Sequence, residues 1–350
     1  MDTEWICFDA VTGYDKGELN HAAQILRQGG LVAFPTETVY GLGGDGFNPQ
    51  AAKKIYEAKG RPSDNPLILH ISKREELDAI AARIPETAEK LMDAFWPGPM
   101  TLIFEKTKAV PYETTGGLDT VAVRMPSHEG ARQLIESAGV PVAAPSANTS
   151  GRPSPTTAEH VKEDLWGRID MIIDVGLVGI GVESTIIDVT EETPTILRPG
   201  HITKNMIAKV IGTVQMDAGL SGLDQSVKPK APGMKYRHYA PKASMTVIQG
   251  KKEAVIRRIE ELAAEYPKEK VGILATDETL SCYTHGQVVS AGSRNEHTIE
   301  QGLYRALREF DHMGVSVIFS ESFADDDRSE AIMNRLLKAA GQKIEYLSDK

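Results

Sequence analysis

Apolar residues in the first ~210 positions fall into short runs of strand length and longer segments that repeat every three to four residues. The short runs Leu31–Phe34, Leu67–Ile71, Met100–Phe104, Thr120–Val123, Val140–Ala144, Met171–Ile173 and Ser184–Val189 predict strands. Segments 18–28, 49–58, 73–82, 86–94, 130–138, 157–165 and 203–210 carry the helical spacing. This alternation is that of a mixed α/β fold. A second unit follows. Runs 245–248, 271–275, 287–290 and 315–320 read as buried strands, 253–265 and 299–312 as helices, and 329–340 as a closing helix. That order predicts a small βαβ-type domain. The chain divides into residues 1–212, a connector 213–243, and residues 244–350.

Local chemistry sharpens one element. Asn48 suits an N-cap, Pro49 the first helical position and Gly60 the C-terminal stop. The loop after it, Lys59-Gly-Arg-Pro-Ser-Asp-Asn-Pro66, sets two cations two residues apart between prolines that fix φ. Lys59 and Arg61 either complement the negative helix end or face an anionic ligand.

At 350 residues, 41% hydrophobic and 25% charged, the composition is that of a soluble two-domain protein. No apolar run is long enough to cross a membrane. The Met-Asp-Thr-Glu-Trp start has no signal-peptide character, so a cytoplasmic location is expected. Cys7 and Cys282 give neither a disulfide framework nor a cysteine zinc site. A net charge of −10 argues against nonspecific coating of nucleic acid. Residues 226–243 break that acidity with five Lys or Arg, three prolines and no acid. They read as a solvated linker or as a strap over an anion.

Several strand ends carry polar residues beside glycine or proline. Pro35-Thr36-Glu37-Thr38-Val39-Tyr40-Gly41-Leu42-Gly43-Gly44 follows the first of these strands. Gly41, Gly43 and Gly46 fit G-x-G-x-x-G in form. A dinucleotide site is rejected, because Pro35 and a polar run separate strand from glycines and the helix starts only at Pro49. His70 lies in a strand and is either packed or a ligand contact. Pro145-Ser146-Ala147-Asn148-Thr149-Ser150-Gly151 suits phosphate or ribose contacts, or a plain turn. Arg198-Pro199-Gly200 reads as an arginine in a rigid loop. No metal cluster, cysteine nucleophile or Ser-His-Asp set stands out. Such a collection suits positioning and electrostatic stabilisation of a phosphate-bearing reaction.

Together these fragments resemble the YrdC-type L-threonylcarbamoyl-AMP synthases. The resemblance is carried by Pro35–Leu42, Lys59–Pro62, Pro66-Leu67, Trp96-Pro-Gly-Pro-Met-Thr101, Val123-Arg-Met-Pro126, Ser146-Ala-Asn148, Ser184–Asp188 and Arg198-Pro-Gly200, in family order. The motif Pro232-Gly-Met-Lys-Tyr-Arg-His-Tyr-Ala-Pro241 is similar to the linker of the longer, two-domain form. The resemblance implies a twisted, mixed open sheet with helices, followed by a small Rossmann-like α/β domain. It also implies an enzyme that joins L-threonine, bicarbonate or CO2 and ATP into threonylcarbamoyl-AMP and pyrophosphate. The adenylate then serves a separate tRNA threonylcarbamoyltransferase. Threonine contacts are implied at Thr38, His70, Arg124, Ser184 and the Ala144 backbone. Nucleotide contacts are implied at Arg61, Asn65, Thr120, Ser146, Asn148, Ser154, Arg198 and Tyr236. Lys59, Arg61 and Arg198 become the cations that stabilise phosphate charge, with Mg2+ bridging phosphates and no dedicated protein cage. Two other classes stay open: a double-stranded RNA-binding module, since the family's first domain has a concave basic face, and a hydrogenase-maturation-type carbamoyltransferase. The second is disfavoured by the two cysteines.

Overall fold

The computed structural model describes residues 2–8, 13–221, 230–232, 238–294, 298–323 and 329–348. One compact unit comprises the chain to Ser150, Pro155–Gly179 and the chain from Glu183 through Pro232. The other comprises Gly151–Ser154, Ile180–Val182 and the chain from His238 onward.

The first unit is built on one mixed sheet. Its strands are β1 (Glu4–Cys7), β2 (Val32–Phe34), β3 (Gly41–Asp45), β4 (Ile68–His70), β5 (Met100–Glu105), β6 (Thr120–Arg124), β7 (Val142–Ala143), β8 (Met171–Asp174), β9 (Thr185–Asp188), β10 (Thr195–Arg198) and β11 (Gln215–Met216). Their order is β1-β8-β2-β3-β7-β4-β6-β5-β9-β10-β11. The helices are α1 (Lys16–Arg27), α2 (Pro49–Lys59), α3 (Leu77–Ile80), α4 (Glu86–Phe95), α5 (Glu129–Ala138), α6 (Ala158–Leu165) and α7 (Lys204–Ile211).

The caps of α2 are those the sequence predicts. Asn48 accepts from the amides of Gln50 and Ala51, and Gly60 takes the left-handed conformation at φ 60°. The segment 73–82 departs from expectation. A 3-10 turn over Arg74–Glu76 precedes α3, and the chain then turns extended. Ala81 bridges Lys106 and the Ala82 amide donates to Glu105, so pairing with the sheet ends the helix early.

Four strands of this unit carry no apolar alternation strong enough to be read beforehand: β1, β3, β10 and β11. β3 runs antiparallel to β2 and β7. A Cβ on Gly43 would lie 2.8 Å from both Phe34 and Val142, so only glycine lets these neighbours close over the strand. Arg198 ends β10 and does not sit in a loop.

Alternation along β4, β5, β6 and β9 sorts the two faces of the sheet. Leu102, Phe104, Val121, Val123 and Ile187 enter the main core. Ile68, Ile103, Ala122, Ile186 and Leu197 form a separate strip on the other face. Ala231, far along the chain, completes that strip and is fully buried. Lys230 beside it lies 3.1 Å from the buried Asp188 carboxylate.

The second unit holds β12 (Ser244–Gln249), β13 (Val271–Ala275), β14 (Gln287–Ser290), β15 (Val317–Glu321) and β16 (Ile344–Tyr346). Its helices are α8 (Lys252–Ala263), α9 (Ile299–Met313) and α10 (Ser329–Ala339). All neighbours in the order β14-β13-β15-β12-β16 are parallel. β16 is an addition to the strands read from the sequence. The fully buried Arg308 on α9 donates to the Pro153 carbonyl at 2.7 Å, which ties residues 151–154 into this unit.

Candidate active site

The polar residues of the strip-bearing face gather at its two ends. At the carboxyl ends of the parallel pair β4 and β6 stand His70 and Arg124, which face each other in register. At the opposite ends, Thr120 starts β6, and the loop before β4 holds Arg61 and Asn65. The apolar strip lies between as a floor.

Arg124 is buried, held by two hydrogen bonds and one ion pair. Nη1 donates to Thr38 Oγ1 at 2.9 Å, Nη2 pairs with Glu37 at 2.8 Å, and Nε reaches the Gly98 carbonyl at 3.4 Å. Thr38 is positioned in turn by Thr36, whose hydroxyl lies 2.9 Å away and also donates to Val39 O. Burial alone would push the Glu37 carboxyl up, but the Arg124 charge beside it prevails and holds it below its usual range. His70 is pushed down to about 3 by burial and by the Arg124 charge, so its ring is neutral. Its Nδ1 donates to the Ile68 carbonyl at 3.2 Å. Ala144, whose amide donates to Ile68 O, lies next to β4.

A second cluster closes this end. Thr101 and Ser184 hydroxyls lie 2.7 Å apart. Arg198 Nη2 donates to Ser184 Oγ at 3.1 Å, and Nε donates to the Ser184 carbonyl at 3.0 Å. Arg198 Nη1 is 3.5 Å from the carbonyl of Pro232, next to the strip residue Ala231.

At the other end, Arg61 folds back on its own loop. Nη2 donates to Pro66 O at 3.1 Å and Nε lies 3.4 Å from Asn65 O. Tyr56 donates to the same Asn65 carbonyl from α2 at 3.2 Å. Lys59 is almost fully buried and donates to the carbonyls of Ser146 and Asn148. Its side chain thus binds the end of α2 to the 146–148 loop, where Ser146 donates to Asn148 at 2.6 Å. Neither cation turns its charged group to the last carbonyls of α2 in these bonds.

Thr38, His70, Arg124, Ala144 and Ser184 therefore sit at one end of the face. Arg61, Asn65 and Thr120 sit at the other, and Lys59, Ser146 and Asn148 form a linked group. Ser154 is buried within the second unit's set of residues, and Tyr236 lies outside the described residues. Sequence reading passed over Glu37, Thr101 and Asp188 as site residues. Glu37 and Thr101 stand within the quoted motifs, directly before Thr38 and at the end of Trp96–Thr101. What singles them out is their partners, which only folding supplies.

Residues 24–200 match the Sua5, YciO and YrdC family described as telomere recombination. Residues 202–341 match the threonylcarbamoyl-AMP synthase C-terminal domain. The chain is 50% identical to the threonylcarbamoyl-AMP synthase of Pyrococcus abyssi, over 94% of this chain and 96% of that protein. It is 51% identical to the Bacillus subtilis threonylcarbamoyl-AMP synthase, over 93% and 94% of the two. The crystal structure of P. abyssi Sua5 complexed with L-threonine superposes with a TM-score of 0.93 at 48% identity, covering 99% of this chain and 100% of that one. A fold of two units and full-length matches of this strength lead to one conclusion: the chain belongs to the two-domain threonylcarbamoyl-AMP synthase family of nucleotidyltransferase-type enzymes.

Proposed function

We propose that this enzyme converts L-threonine, bicarbonate or CO2 and ATP into threonylcarbamoyl-AMP and pyrophosphate. The product would pass to a cytoplasmic tRNA threonylcarbamoyltransferase. The observation that carries the reading is the fixed, buried guanidinium of Arg124 beside a neutral His70, at one end of an apolar floor. A guanidinium has five N–H donors. Arg124 Nη1 and Nε donate to Thr38 and Gly98, and Nη2 pairs ionically with Glu37. Its remaining N–H groups suit an amino-acid carboxylate, which a planar fork can grip. The relative solved with L-threonine supports the same substrate here.

Threonine binds first in this scheme, its carboxylate on Arg124 and its hydroxyl among Thr38, Ser184 and the Ala144 backbone. His70 is neutral and buried. Its unprotonated ring nitrogen can accept a hydrogen bond from the threonine ammonium, which a protonated ring could not. The amine, having lost a proton, adds to CO2 with release of a second proton, or to bicarbonate with loss of water, giving a carbamate. A carbamate oxygen attacks the α-phosphorus of ATP, and pyrophosphate leaves. Arg61 and Arg198 approach from the two ends of the face and Lys59 from the end of α2. Their charge stabilises the negative phosphate oxygens as the bond to pyrophosphate breaks. Asn65, Thr120, Ser146 and Asn148 supply polar contacts to the nucleotide. Mg2+ belongs to the nucleotide substrate. This ion is commonly carried by phosphates.

Incubation with ATP, L-threonine and bicarbonate tests the reading, with separate detection of pyrophosphate and the adenylate. Threonine-dependent formation of both supports it. Pyrophosphate release indifferent to threonine would overturn it.

A further inference from the structure

The second unit contains a cavity of about 770 Å³ at the carboxyl ends of its parallel strands. From β12 the chain passes through α8 to β13, toward one edge of the sheet. From the neighbouring β15 it passes through α10 to β16, toward the other edge. Right-handed crossovers in opposite directions put the two helices on opposite faces. A crevice then opens where adjacent strands part, which is the usual ligand position in open parallel sheets. Gln249 ends β12, Glu321 ends β15, and both line the cavity.

The lining is amphipathic. Lys251 and Lys252 stand at the start of α8, whose first turn has no side-chain cap. Arg294 is fixed beside them in the lining by Glu321 at 3.3 Å and by the Ser322 carbonyl at 2.7 Å. Glu321 is itself held by Tyr283 at 2.8 Å and is nearly fully buried. Thr276 and Thr279, both buried, add hydroxyls 3.0 Å apart. Val255, Leu347 and the largely exposed ring of Tyr346 supply an apolar wall.

We infer that this crevice is a second ligand site, separate from the catalytic reading above, for a molecule of the mononucleotide class. Its volume is that of small-molecule pockets generally. The phosphate lies against Lys251, Lys252 and the amides opening α8, where fixed and dipolar positive charge coincide. The ring lies against Tyr346 and Leu347. The carboxylate of Glu321 and the Thr276 hydroxyl face the sugar. A phosphate without a ring would fill only part of such a site.

Photo-crosslinking of the full-length protein with 8-azido-AMP, followed by peptide mapping, tests this. Label is expected in peptides containing Thr276–Thr279 or Tyr346, and excess AMP should displace it. Inorganic phosphate alone should displace it weakly. The double variant Lys251→Ala, Lys252→Ala should lower second-unit labelling about tenfold, a loss of about 1.4 kcal/mol. Both lysines are exposed, and labelling of the first unit serves as the control for folding. Label confined to the first unit overturns the inference. So does second-unit label that neither AMP nor the lysine variant reduces.

Discussion

Arg198 holds Ser184 at two atoms. Its Nε donates to the Ser184 carbonyl at 3.0 Å and its Nη2 to the hydroxyl at 3.1 Å. The second bond orients a hydroxyl that also meets Thr101. Arg198→Lys keeps the charge but cannot reproduce the fork. Threonine-dependent pyrophosphate release should fall at least tenfold, for a loss of about 1.4 kcal/mol or more in the barrier. Ser184→Ala should raise KM for threonine more than it lowers kcat. Steady-state kinetics separate the two, and unchanged kinetics in Arg198→Lys would remove this arginine from the phosphate chemistry.

Glu37 and Arg124 form a buried pair in which each needs the other. Glu37→Ala leaves a buried guanidinium charge without its partner. Breaking such a pair costs about 3–5 kcal/mol. Urea denaturation should show that loss, and threonine affinity should fall with it as Arg124 loses its fixed orientation. A stability change below about 1 kcal/mol would mean that water replaces the carboxylate at little cost.

His70 gives stability a pH dependence of known sign. Its native value is pushed down to about 3, against about 6.5 in an unfolded chain. Between these values the unfolded state binds a proton that the native state refuses. Stability is therefore complete above about pH 6.5 and is lost as pH falls toward 3, by about 1.4 kcal/mol per unit. Glu37 is also depressed, so its share is lost only below its ordinary value of 4.5. The interval from pH 6.5 to 5 thus reports histidine. His70→Asn should flatten the slope there, while His128, likewise lowered by burial, preserves a slope of the same sign. Equal slopes for the two proteins in urea melts at pH 5 and 6.5 would contradict this.

Amino-acid choice follows from the hydroxyl-lined end of the face. L-Serine lacks one methyl, worth about 1 kcal/mol, and should be a poorer substrate. L-Valine should be far worse, because it leaves buried hydroxyls unpaired. Equal turnover of valine and threonine would exclude a pocket of this kind.

The legible parts of this molecule were those written locally. Asn48, Pro49 and Gly60 announce α2 because capping depends on a few adjacent residues. The runs that became β4, β5 and β6 could be seen because both faces of the sheet are covered, which makes them continuously apolar. β3 was hidden, since Gly-Leu-Gly-Gly-Asp has almost no side chains with which to show a period. The end of segment 73–82 was set by Ala81 pairing with Lys106, a contact that sequence spacing does not contain. For the site, the motif residues named by resemblance, Tyr236 apart, could be located one by one. The roles of Glu37, Thr101 and Asp188 rest on partners 87, 83 and 42 positions away.

Ala231→Asp tests the strip itself. A carboxylate would enter a site lined by Ile68, Ile103, Ala122, Ile186 and Leu197. Burying an unpaired charge there should cost several kcal/mol, or displace residues 230–232 from the face of the sheet. Thermal unfolding should show the first outcome. A gain in hydrogen exchange confined to β4, β6 and β9 would show the second. No change in either would mean that the strip tolerates water.

Ala231 also decides where the first unit can be cut. A polypeptide ending near residue 212 would retain every strand of the sheet but β11, yet five apolar side chains would lose their cover and Asp188 its lysine. Such a fragment would be a sticky half-product, inclined to self-association through that strip. The same fragment extended through Pro232 would keep the strip sealed. For anyone separating the two halves of this enzyme, the useful seam lies beyond the start of the basic connector, because its first residues are already part of the fold.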